Sequence, residues 1–280
     1  MIFFPKAKIN LGLHILVKRQ DGYHNLETLL IPIPLHDSVE FIPSGKTSLI
    51  TYLKPNPKSY YIRREESMES PDNLILKAYH ILKSDFNIPN LSFYLYKNIP
   101  IGAGLGGGSS DAAYTLKCLN DTFFLGIEPE KLILYAQKLG SDCTCFLEPR
   151  PYFATGKGDN LSPFEINLEN YFWVVVKPPF SISTAEAYAR IKPKIPQTPI
   201  LEILNGPIEN WRNNLVNDFE PTIFGAYPKL ADLKNQLYKS GAIYASLSGS
   251  GSALFALFNE FIPLKGLEVD NQVFYLPKKW

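Results

Sequence analysis

Pro100-Ile-Gly-Ala-Gly-Leu-Gly-Gly-Gly-Ser-Ser-Asp-Ala-Ala113 is the stretch that decides the fold of this chain. Five glycines fall between Gly102 and Gly108. Upstream, apolar and polar residues alternate from Leu91 to Tyr96, which predicts a half-buried strand. Downstream, apolar residues recur at helical spacing over positions 112–119. The pattern therefore predicts a strand, a glycine loop and a helix in direct succession.

This arrangement is typical of a phosphate site. Glycine lets the backbone adopt positive φ and approach a ligand closely. The first turn of a helix offers unpaired N–H groups and the positive end of the helix dipole. Ser109 or Ser110 is predicted as the N-cap. A merely flexible connection is the alternative, but a dense glycine run between a clear strand and a clear helix disfavours it.

Two common phosphate loops do not fit. No Gly-Lys-Ser/Thr follows the glycines, which excludes a Walker loop. The spacing Gly102-x-Gly104-x-x-Gly107 does satisfy the dinucleotide-binding pattern. That site also needs a second strand ending in an acidic residue about 20 positions on. Here the segment Phe123–Glu130 leads into another helix, so a dinucleotide site is disfavoured.

The bulk composition is that of an ordinary soluble globular protein. The 280 residues are 45% hydrophobic and 20% charged, with a formal net charge of +1. Such a balance gives no basic field that would favour nucleic acid or membrane partners. The start of the chain lacks a secretory apolar segment, so we expect a cytoplasmic protein. Cys118, Cys143 and Cys145 form no metal-binding pattern and are predicted to be buried, reduced thiols.

The N-terminal strand carries an unusual polar face. Ile9, Leu11 and Leu13 alternate inward, so Lys8 and Asn10 share the opposite face. Lysine and asparagine in this position commonly form the solvent-exposed face of an edge strand, which we call the wet-edge interpretation. The functional alternative is a lysine that projects into a cleft with Asn10 as its hydrogen-bond partner.

Three further segments each allow a structural and a functional interpretation. His24, which follows an Asp-Gly turn and Tyr23, is either a solvated loop histidine or part of a nucleobase-binding pair. Asp142 either caps a short helix or directs a carboxylate at the phosphate end of a cleft. The glycine–serine loop Ser248–Ser252 is either a tight hairpin or a polar, ligand-facing loop. We favour the ligand-facing loop because the first glycine loop already predicts a phosphate site.

Two regions bear on domain organisation. Residues 43–72 are rich in Pro, Lys, Ser and Tyr and predict exposed strands and a mobile loop without assignable chemistry. The turn Thr155-Gly-Lys-Gly-Asp159 coincides with a shift in composition. We therefore expect one domain over residues 1–159 and a second over residues 160–280.

Taken together, the glycine loop, the lysine strand and the Ser-Gly-Ser-Gly loop resemble the GHMP small-molecule kinases. Ala7-Lys-Ile-Asn-Leu-Gly12 with Asp21-Gly-Tyr-His24 is similar to one branch of that superfamily. Its members use ATP to phosphorylate the 2-hydroxyl of a cytidine-diphosphate-linked polyol in non-mevalonate isoprenoid biosynthesis. Gly140-Ser-Asp-Cys143 and Ser181-Ile-Ser-Thr-Ala185 fit the same branch, so the resemblance spans nearly the whole chain.

The resemblance implies an α/β (α+β) fold of two domains. The N-terminal domain would bind ATP, and a ferredoxin-like C-terminal domain would close over the substrate, with the active site in the cleft between them. The implied cofactors are ATP and Mg²⁺, with no residue assigned to the metal. The implied partner is the small-molecule substrate, bound by a monomer or a weak homodimer that associates with neither nucleic acid nor membrane.

The resemblance also implies roles for individual residues. Asp142 matches the catalytic aspartate and Lys8 its partner lysine. Asn10 matches a contact near the substrate diphosphate, His24 reads the cytosine edge, and Tyr23 and Tyr188 sandwich the base. The remaining substrate-side positions are Lys157 and Thr184. The ATP-binding positions are Pro100, Gly102, Gly104, Leu105, Gly106, Gly107, Gly108, Ser109, Ser110, Lys97 and Asn73.

One local feature departs from the pattern of this branch. Cys143 and Thr144 stand where relatives often have a proline or a small residue, which puts the local geometry of the Asp142 turn in question.

Two other functions stay open. A GHMP kinase acting on mevalonate or homoserine is disfavoured because Tyr23 and His24 would have no base to recognise. A non-catalytic nucleotide sensor is disfavoured because Lys8 and Asp142 are both present.

Overall fold

The computed structural model describes residues 1–53, 63–67 and 72–278. The strands are β1 (Ile2–Phe3), β2 (Lys6–Lys18), β3 (His24–His36), β4 (Ser38–Pro43), β5 (Ser48–Leu53), β6 (Arg63–Ser67), β7 (Leu91–Lys97), β8 (Tyr152–Thr155), β9 (Asn160–Pro163), β10 (Phe172–Lys177), β11 (Tyr244–Leu247), β12 (Leu254–Phe258) and β13 (Gln272–Leu276). The helices are α1 (Leu74–Asp85), α2 (Gly107–Thr122), α3 (Pro129–Leu139), α4 (Thr184–Arg190), α5 (Ile200–Leu204), α6 (Trp211–Asn214), α7 (Glu220–Ala226), α8 (Pro228–Lys239) and α9 (Lys265–Glu268), with 3₁₀ helices at Ser141–Phe146 and Ile208–Asn210.

The chain forms two compact units that interleave along the sequence. Unit 1 comprises Met1–Ala7, Leu35–Pro100 and Gly106–Pro149. Unit 2 comprises Lys8–Pro34, Ile101–Leu105 and Arg150–Trp280. The domain boundary expected at residues 159/160 stays a prediction.

Unit 1 pairs a five-stranded sheet with helices α1, α2 and α3. The strand order is β1-β4-β7-β5-β6, in which β5 and β7 run parallel and the other pairs antiparallel. The period-2 alternation of β4 and β7 turns Phe41 and Phe93, which are paired across the strands, toward one face. Their rings lie 5.9 Å apart, and Tyr79 of α1 packs against Phe93 at 5.5 Å. Burying each such side chain contributes about 1.5–3 kcal/mol.

Unit 2 contains two four-stranded sheets. One has the order β2-β3-β8-β9 and includes most of the lysine strand β2. The other is antiparallel with the order β11-β12-β10-β13. Helix α8 presents Leu230, Leu233 and Leu237 to the same buried cluster as Val174 and Ala256 of this second sheet. Spacing of three and four residues places those leucines on one helical face, which explains why α8 packs there.

The sequence predicted most elements that carry motifs. Apolar residues at helical spacing predict helices over residues 129–139 and 228–239, and the structure confirms both with these bounds. The segment Ser183-Thr184-Ala185 predicts a capped helix start, and the Ser183 side chain indeed caps α4 by accepting a hydrogen bond from Glu186 N. Of the loop predicted within residues 43–72, positions 54–62 and 68–71 lie outside the described residues.

Two local predictions are wrong. Helix α2 begins at Gly107 with Gly106 as its N-cap, so Ser109 and Ser110 lie inside the first turn. The left-handed φ of 71° at Gly106 lets the chain enter the helix earlier than a serine cap would. Cys118 is partly exposed, whereas Cys143 and Cys145 are buried, and all three are free thiols.

No described helix combines the length and the apolar composition needed to cross a lipid bilayer.

Candidate active site

The N-terminus of α2 has backbone N–H groups that no side chain caps. Its N-cap residue is Gly106, so no side chain hydrogen-bonds the first N–H groups of the helix, and the first turn of α2 contains no acidic residue. The backbone N–H groups of that turn are therefore not consumed by a capping side chain. A Cβ on Gly107 would lie 2.9 Å from Ile99 Cγ2 and 3.1 Å from Lys97 Nζ, so the close approach of these groups requires glycine there.

Serines in the first turn of α2 fix this helix within unit 1. Ser110 donates its hydroxyl proton to Lys6 O at 2.7 Å. The Ser109 side chain lies beside Cys143, where burial raises the pKa of the thiol and Ser109 lowers that pKa less strongly. That contact joins the start of α2 to the 3₁₀ helix Ser141–Phe146, which contains Asp142.

The turn that carries Asp142 is well formed despite its unusual residues. Asp142 is half-buried in the first turn of the 3₁₀ helix, whose N-cap is Gly140, so the capping role considered for Asp142 is wrong. Cys145 Sγ donates to Asp142 O at 3.1 Å. Burial raises the pKa of the Cys143 thiol to about 12, so Cys143 fills space here as a neutral side chain. Cys143 and Thr144 thus leave Asp142 on a regular turn beside α2.

Lys97 lies at the end of β7 and is engaged by two acids. Its Nζ donates to Asp37 Oδ2 and, at 2.9 Å, to Asp111 Oδ2. Asp37 Oδ1 in turn accepts the backbone N–H of Asn98 and Ile99 at 2.6 and 2.8 Å. The contact of Lys97 with nucleotide stays a prediction.

Asn73 has a structural role that the sequence did not suggest. Its Oδ1 accepts a hydrogen bond from Ile75 N at 2.9 Å, so Asn73 is the N-cap of α1. A Cβ on Gly108 of α2 would lie 3.8 Å from Leu74 Cδ1. The capped start of α1 therefore lies beside the first turn of α2, and the nucleotide contact of Asn73 stays a prediction.

In unit 2, Lys8 is held inside the protein rather than on a wet edge. Lys8 and Asn10 are 5% and 6% exposed, so the wet-edge interpretation is wrong. Lys8 Nζ donates to Asn10 Oδ1 at 2.7 Å and to Gly104 O at 3.1 Å. Asn10 Nδ2 donates to Thr28 Oγ1 at 3.2 Å. A buried ammonium with ordered oxygen partners has a fixed direction, which suits it to binding an anion.

The part of the glycine loop in unit 2 contacts the second glycine–serine loop. Ser248 Oγ donates to Gly104 O at 2.9 Å. At φ 77°, Gly104 has no room for a side chain, because a Cβ would lie 2.0 Å from Ser248 O. A Cβ on Gly102 would likewise lie only 3.0 Å from Ser181 Oγ. Ser248–Ser252 connects the antiparallel strands β11 and β12, so it is a hairpin loop that also supports the glycine loop.

The residues expected to bind the base form two pairs in unit 2. His24 stacks on Tyr188 with ring centroids 5.2 Å apart. Tyr23 is 62% exposed, and Lys157 Nζ lies 5.1 Å from the centre of its ring. Burial, and then the nearby positive charge of Lys18, lowers the pKa of His24, which keeps its imidazole neutral near pH 7. Thr184 Oγ1 lies 3.4 Å from Ser250 Oγ.

The described residues divide the expected site between the units. Unit 1 groups Asn73, Lys97, Pro100, Gly106, Gly107, Gly108, Ser109, Ser110 and Asp142. Unit 2 groups Lys8, Asn10, Tyr23, His24, Gly102, Gly104, Leu105, Lys157, Thr184 and Tyr188.

The segment Asn217-Asp-Phe-Glu220 was not predicted from the sequence to be functional. Asn217 is 1% exposed, and Asp218 and Glu220 are each 8% exposed. Glu220 Oε1 accepts from Ser246 Oγ and Leu247 N at 3.1 and 2.9 Å, so it supports the strand that enters the second glycine–serine loop. Three polar residues around Phe219 were the available signal, since such residues are rarely buried without a specific partner.

The chain is similar to proteins of one known kinase family. The family models for the GHMP kinases N terminal domain and the GHMP kinases C terminal match residues 73–147 and 201–263. The 4-diphosphocytidyl-2-C-methyl-D-erythritol kinase of Bacteroides fragilis is 47% identical over 262 residues, covering 92% of each chain. The corresponding protein of Cytophaga hutchinsonii is 44% identical over 260 residues, covering 92% of this chain and 93% of its own.

The fold is likewise similar to solved kinases. A crystal structure of 4-(cytidine 5'-diphospho)-2C-methyl-D-erythritol kinase superposes with a TM-score of 0.79 at 29% identity, covering 99% of this chain and 98% of that one. The Methanococcus jannaschii mevalonate kinase gives a TM-score of 0.70 at 15% identity, covering 98% and 97%, a likeness of fold alone.

Proposed function

The chain belongs to the 4-diphosphocytidyl-2-C-methyl-D-erythritol kinase family of the GHMP kinases, and we propose that it catalyses that reaction. It transfers a phosphoryl group from ATP to the 2-hydroxyl of 4-diphosphocytidyl-2-C-methyl-D-erythritol, a step of non-mevalonate isoprenoid precursor biosynthesis. In keeping with the family, we infer a cytoplasmic enzyme that acts on small molecules as a monomer or a weak homodimer.

The observation that carries the proposal is the buried, oriented ammonium of Lys8. Its bonds to Asn10 Oδ1 and Gly104 O hold a cation beside Gly104 of the glycine loop. Phosphoryl transfer depends on alignment and on neutralising charge at the transferred group. Lys8 supplies such a charge without the cost of reorganisation during the reaction.

The start of α2 fits the phosphates of ATP. Its uncapped first turn offers N–H donors and contains no acidic side chain that would repel the phosphates. ATP with Mg²⁺ supplies the phosphoryl group and the divalent charge that offsets the phosphate oxygens. Gly106, Gly107, Gly108 and Ser109 hold the phosphates, and the Ser110 hydroxyl is committed to Lys6 O.

Several further side chains act on the acceptor. Asp142, on its 3₁₀ turn beside α2, orients the substrate hydroxyl and takes its proton as the phosphoryl group is transferred. The neutral His24 imidazole, stacked on Tyr188, hydrogen-bonds the cytosine edge, while Tyr23 and Lys157 contact the cytidine. Asn10 and Thr184 bind the diphosphate side of the substrate.

An ADP-release assay tests the proposal. Purified protein is mixed with MgATP and, in separate reactions, 4-diphosphocytidyl-2-C-methyl-D-erythritol, mevalonate, homoserine or no acceptor. We expect ADP release with the cytidyl acceptor alone. Release with mevalonate or homoserine alone would overturn the substrate and keep the kinase. No release in any reaction, with ATP binding retained in calorimetry, would identify a nucleotide sensor.

A further inference from the structure

Asn217 connects strand β2, the second glycine–serine loop and, through Ser248, the glycine loop at Gly104. It is 1% exposed and lies between α6 and α7, in a segment without helical structure. Within the described residues, the Asn217 side chain hydrogen-bonds Leu247, Gly249 and Phe219, none of which is proposed to touch ligand. Its position nevertheless bears on Lys8.

The segment around Asn217 is fixed to the lysine strand. Leu13 N donates to Val216 O at 2.9 Å, and Asp218 N donates to Leu13 O at 2.8 Å. These bonds form a parallel bridge between Leu13 and Asn217. Asp218 Oδ2 adds a third bond by accepting from Ile15 N at 2.9 Å. Asn217 is therefore rigidly placed relative to β2, the strand that carries Lys8.

The side-chain amide of Asn217 holds the second glycine–serine loop. Its Nδ2 donates to Leu247 O and to Gly249 O, both at 2.9 Å. Its Oδ1 accepts from Phe219 N at 3.0 Å, which fixes the orientation of the amide. Both N–H donors and the oxygen are thus engaged, and the two carbonyls they hold flank Ser248.

Ser248 continues the connection to Lys8. Its hydroxyl and the Lys8 ammonium donate to the same acceptor, Gly104 O, at 2.9 and 3.1 Å. Gly249 also approaches Asn10, since a Cβ there would lie 3.2 Å from Asn10 Oδ1. Both oxygens that orient the Lys8 ammonium are therefore packed against the turn that Asn217 holds.

We propose that Asn217 is a positioning residue for Lys8: by holding the carbonyls of Leu247 and Gly249, it fixes Ser248, Gly104 and hence the direction of the Lys8 ammonium. This inference rests on the proposed function in one respect, because it takes Lys8 to be catalytic. A displacement of a catalytic group by about 1 Å can lower turnover by about 100-fold, so such a support is functionally significant.

The chain offers a matched control for an ordinary buried asparagine. Asn271 is 6% exposed, and its Nδ2 donates to Leu267 O at 2.8 Å. Among the described residues, its side chain does not hydrogen-bond the glycine–serine loop. Asn271→Ala therefore reports the general effect of losing a buried amide.

Lysine NMR tests the inference without relying on activity. The protein is labelled with lysine carrying ¹³C at the ε carbon, and the Lys8 signal is assigned by its absence from Lys8→Arg. In Asn217→Ala and in the equal-sized Asn217→Asp, which lacks the two N–H donors, we expect the Lys8 signal to shift or broaden. In Asn271→Ala it stays at the wild-type position. A Lys8 signal at its wild-type position in a folded Asn217 variant would overturn the proposal.

Kinetics with MgATP and the cytidyl acceptor give the second readout. We expect Asn217→Ala to lower kcat by about 10- to 100-fold and to change the KM for ATP by less than about 3-fold, as for a group acting in the transition state. A kcat equal to that of Asn271→Ala would overturn the positioning role. So would loss of folding in both Asn217 variants, which would make Asn217 a determinant of the fold. If wild type transfers no phosphate, the proposed function fails, and the NMR result still decides the positioning.

Discussion

The ammonium of Lys97 lies 2.9 Å from Asp111 Oδ2 in the interior of unit 1, and it also binds Asp37. One cation thus faces two buried carboxyl groups. Asp111 Oδ1 has no hydrogen-bond partner among the described residues. Burial raises the pKa of the Asp111 carboxyl to about 8, an effect that Lys97 opposes and Asp37 reinforces. The Asp111 carboxyl therefore keeps its proton to a higher pH than the carboxyl of an exposed aspartate does.

This protonation predicts a pH-dependent stability. The folded-state pKa of Asp111 is raised above its unfolded value of 3.8, so the stabilising contribution of its protonated form is complete below about pH 4. That contribution is lost as pH rises through about 8. We expect wild type to lose free energy of unfolding relative to Asp111→Asn over this range in urea denaturation. The exposed Asp232→Asn is the control, and a pH-independent difference between wild type and Asp111→Asn would refute the prediction.

Gly104 and Gly108 should respond oppositely to alanine. At Gly104 the new Cβ would lie 2.0 Å from Ser248 O at a φ of 77°, so Gly104→Ala should destabilise the fold by at least about 2 kcal/mol. At Gly108, inside α2, the nearest atom is 3.8 Å away, and Gly108→Ala should stabilise by about 0.5–1 kcal/mol. Thermal and urea unfolding of both variants provide the measurement. Equal effects at the two positions would contradict the contact between the loops.

Substitutions of Lys8 and Asp142 should lower turnover without weakening ATP binding. Lys8→Ala and Asp142→Asn are expected to abolish phosphoryl transfer while leaving ATP binding nearly unchanged, because the phosphates are held at the start of α2. Turnover by ADP release and ATP affinity by calorimetry are measured on the same preparations. Near-normal turnover of Asp142→Asn would remove the base from the mechanism.

Substitution of His24 should raise the KM for the cytidyl acceptor and leave the KM for ATP unchanged. His24→Ala removes the ring stacked on Tyr188, and we expect the KM for the cytidyl acceptor to rise about 10-fold or more while the KM for ATP is unchanged. The exposed His80→Ala on α1 is the control. Because the pKa of His24 is lowered from 6.5, the acceptor KM of wild type should be independent of this group above pH 7. A rise in both KM values would argue against a base-specific role.

Much of this architecture could be predicted because it is encoded locally. Helices over 129–139 and 228–239 follow from apolar spacing and from proline and glycine boundaries, which act within a few residues. The start of α2 could not be predicted as well. A left-handed glycine at 106 competes with the serines for the helix start, and the outcome depends on the backbone that precedes it.

The burial of Lys8 and the role of Asn217 also escaped prediction, for a different reason. The polar face of β2 is equally compatible with solvent and with an interior. The interior position depends on Gly104, which is 96 residues away from Lys8. Asn217 lies 30 and 32 residues from the carbonyls it holds. No local pattern records such partners, since hydrogen bonding across the fold depends on how distant segments pack.

The sequence by itself determined the elements and the kind of chemistry: a strand, a glycine loop and a helix suited to phosphate, with a lysine strand whose motif resembles GHMP kinases. Only the tertiary structure decided that Lys8 is buried on Asn10 and Gly104, that Lys97 is shared by Asp37 and Asp111, and that Asn217 supports the second loop. The physical reason is that propensity and periodicity act over a few residues. The direction and charge state of a buried polar group are set instead by partners that only folding brings within hydrogen-bonding distance.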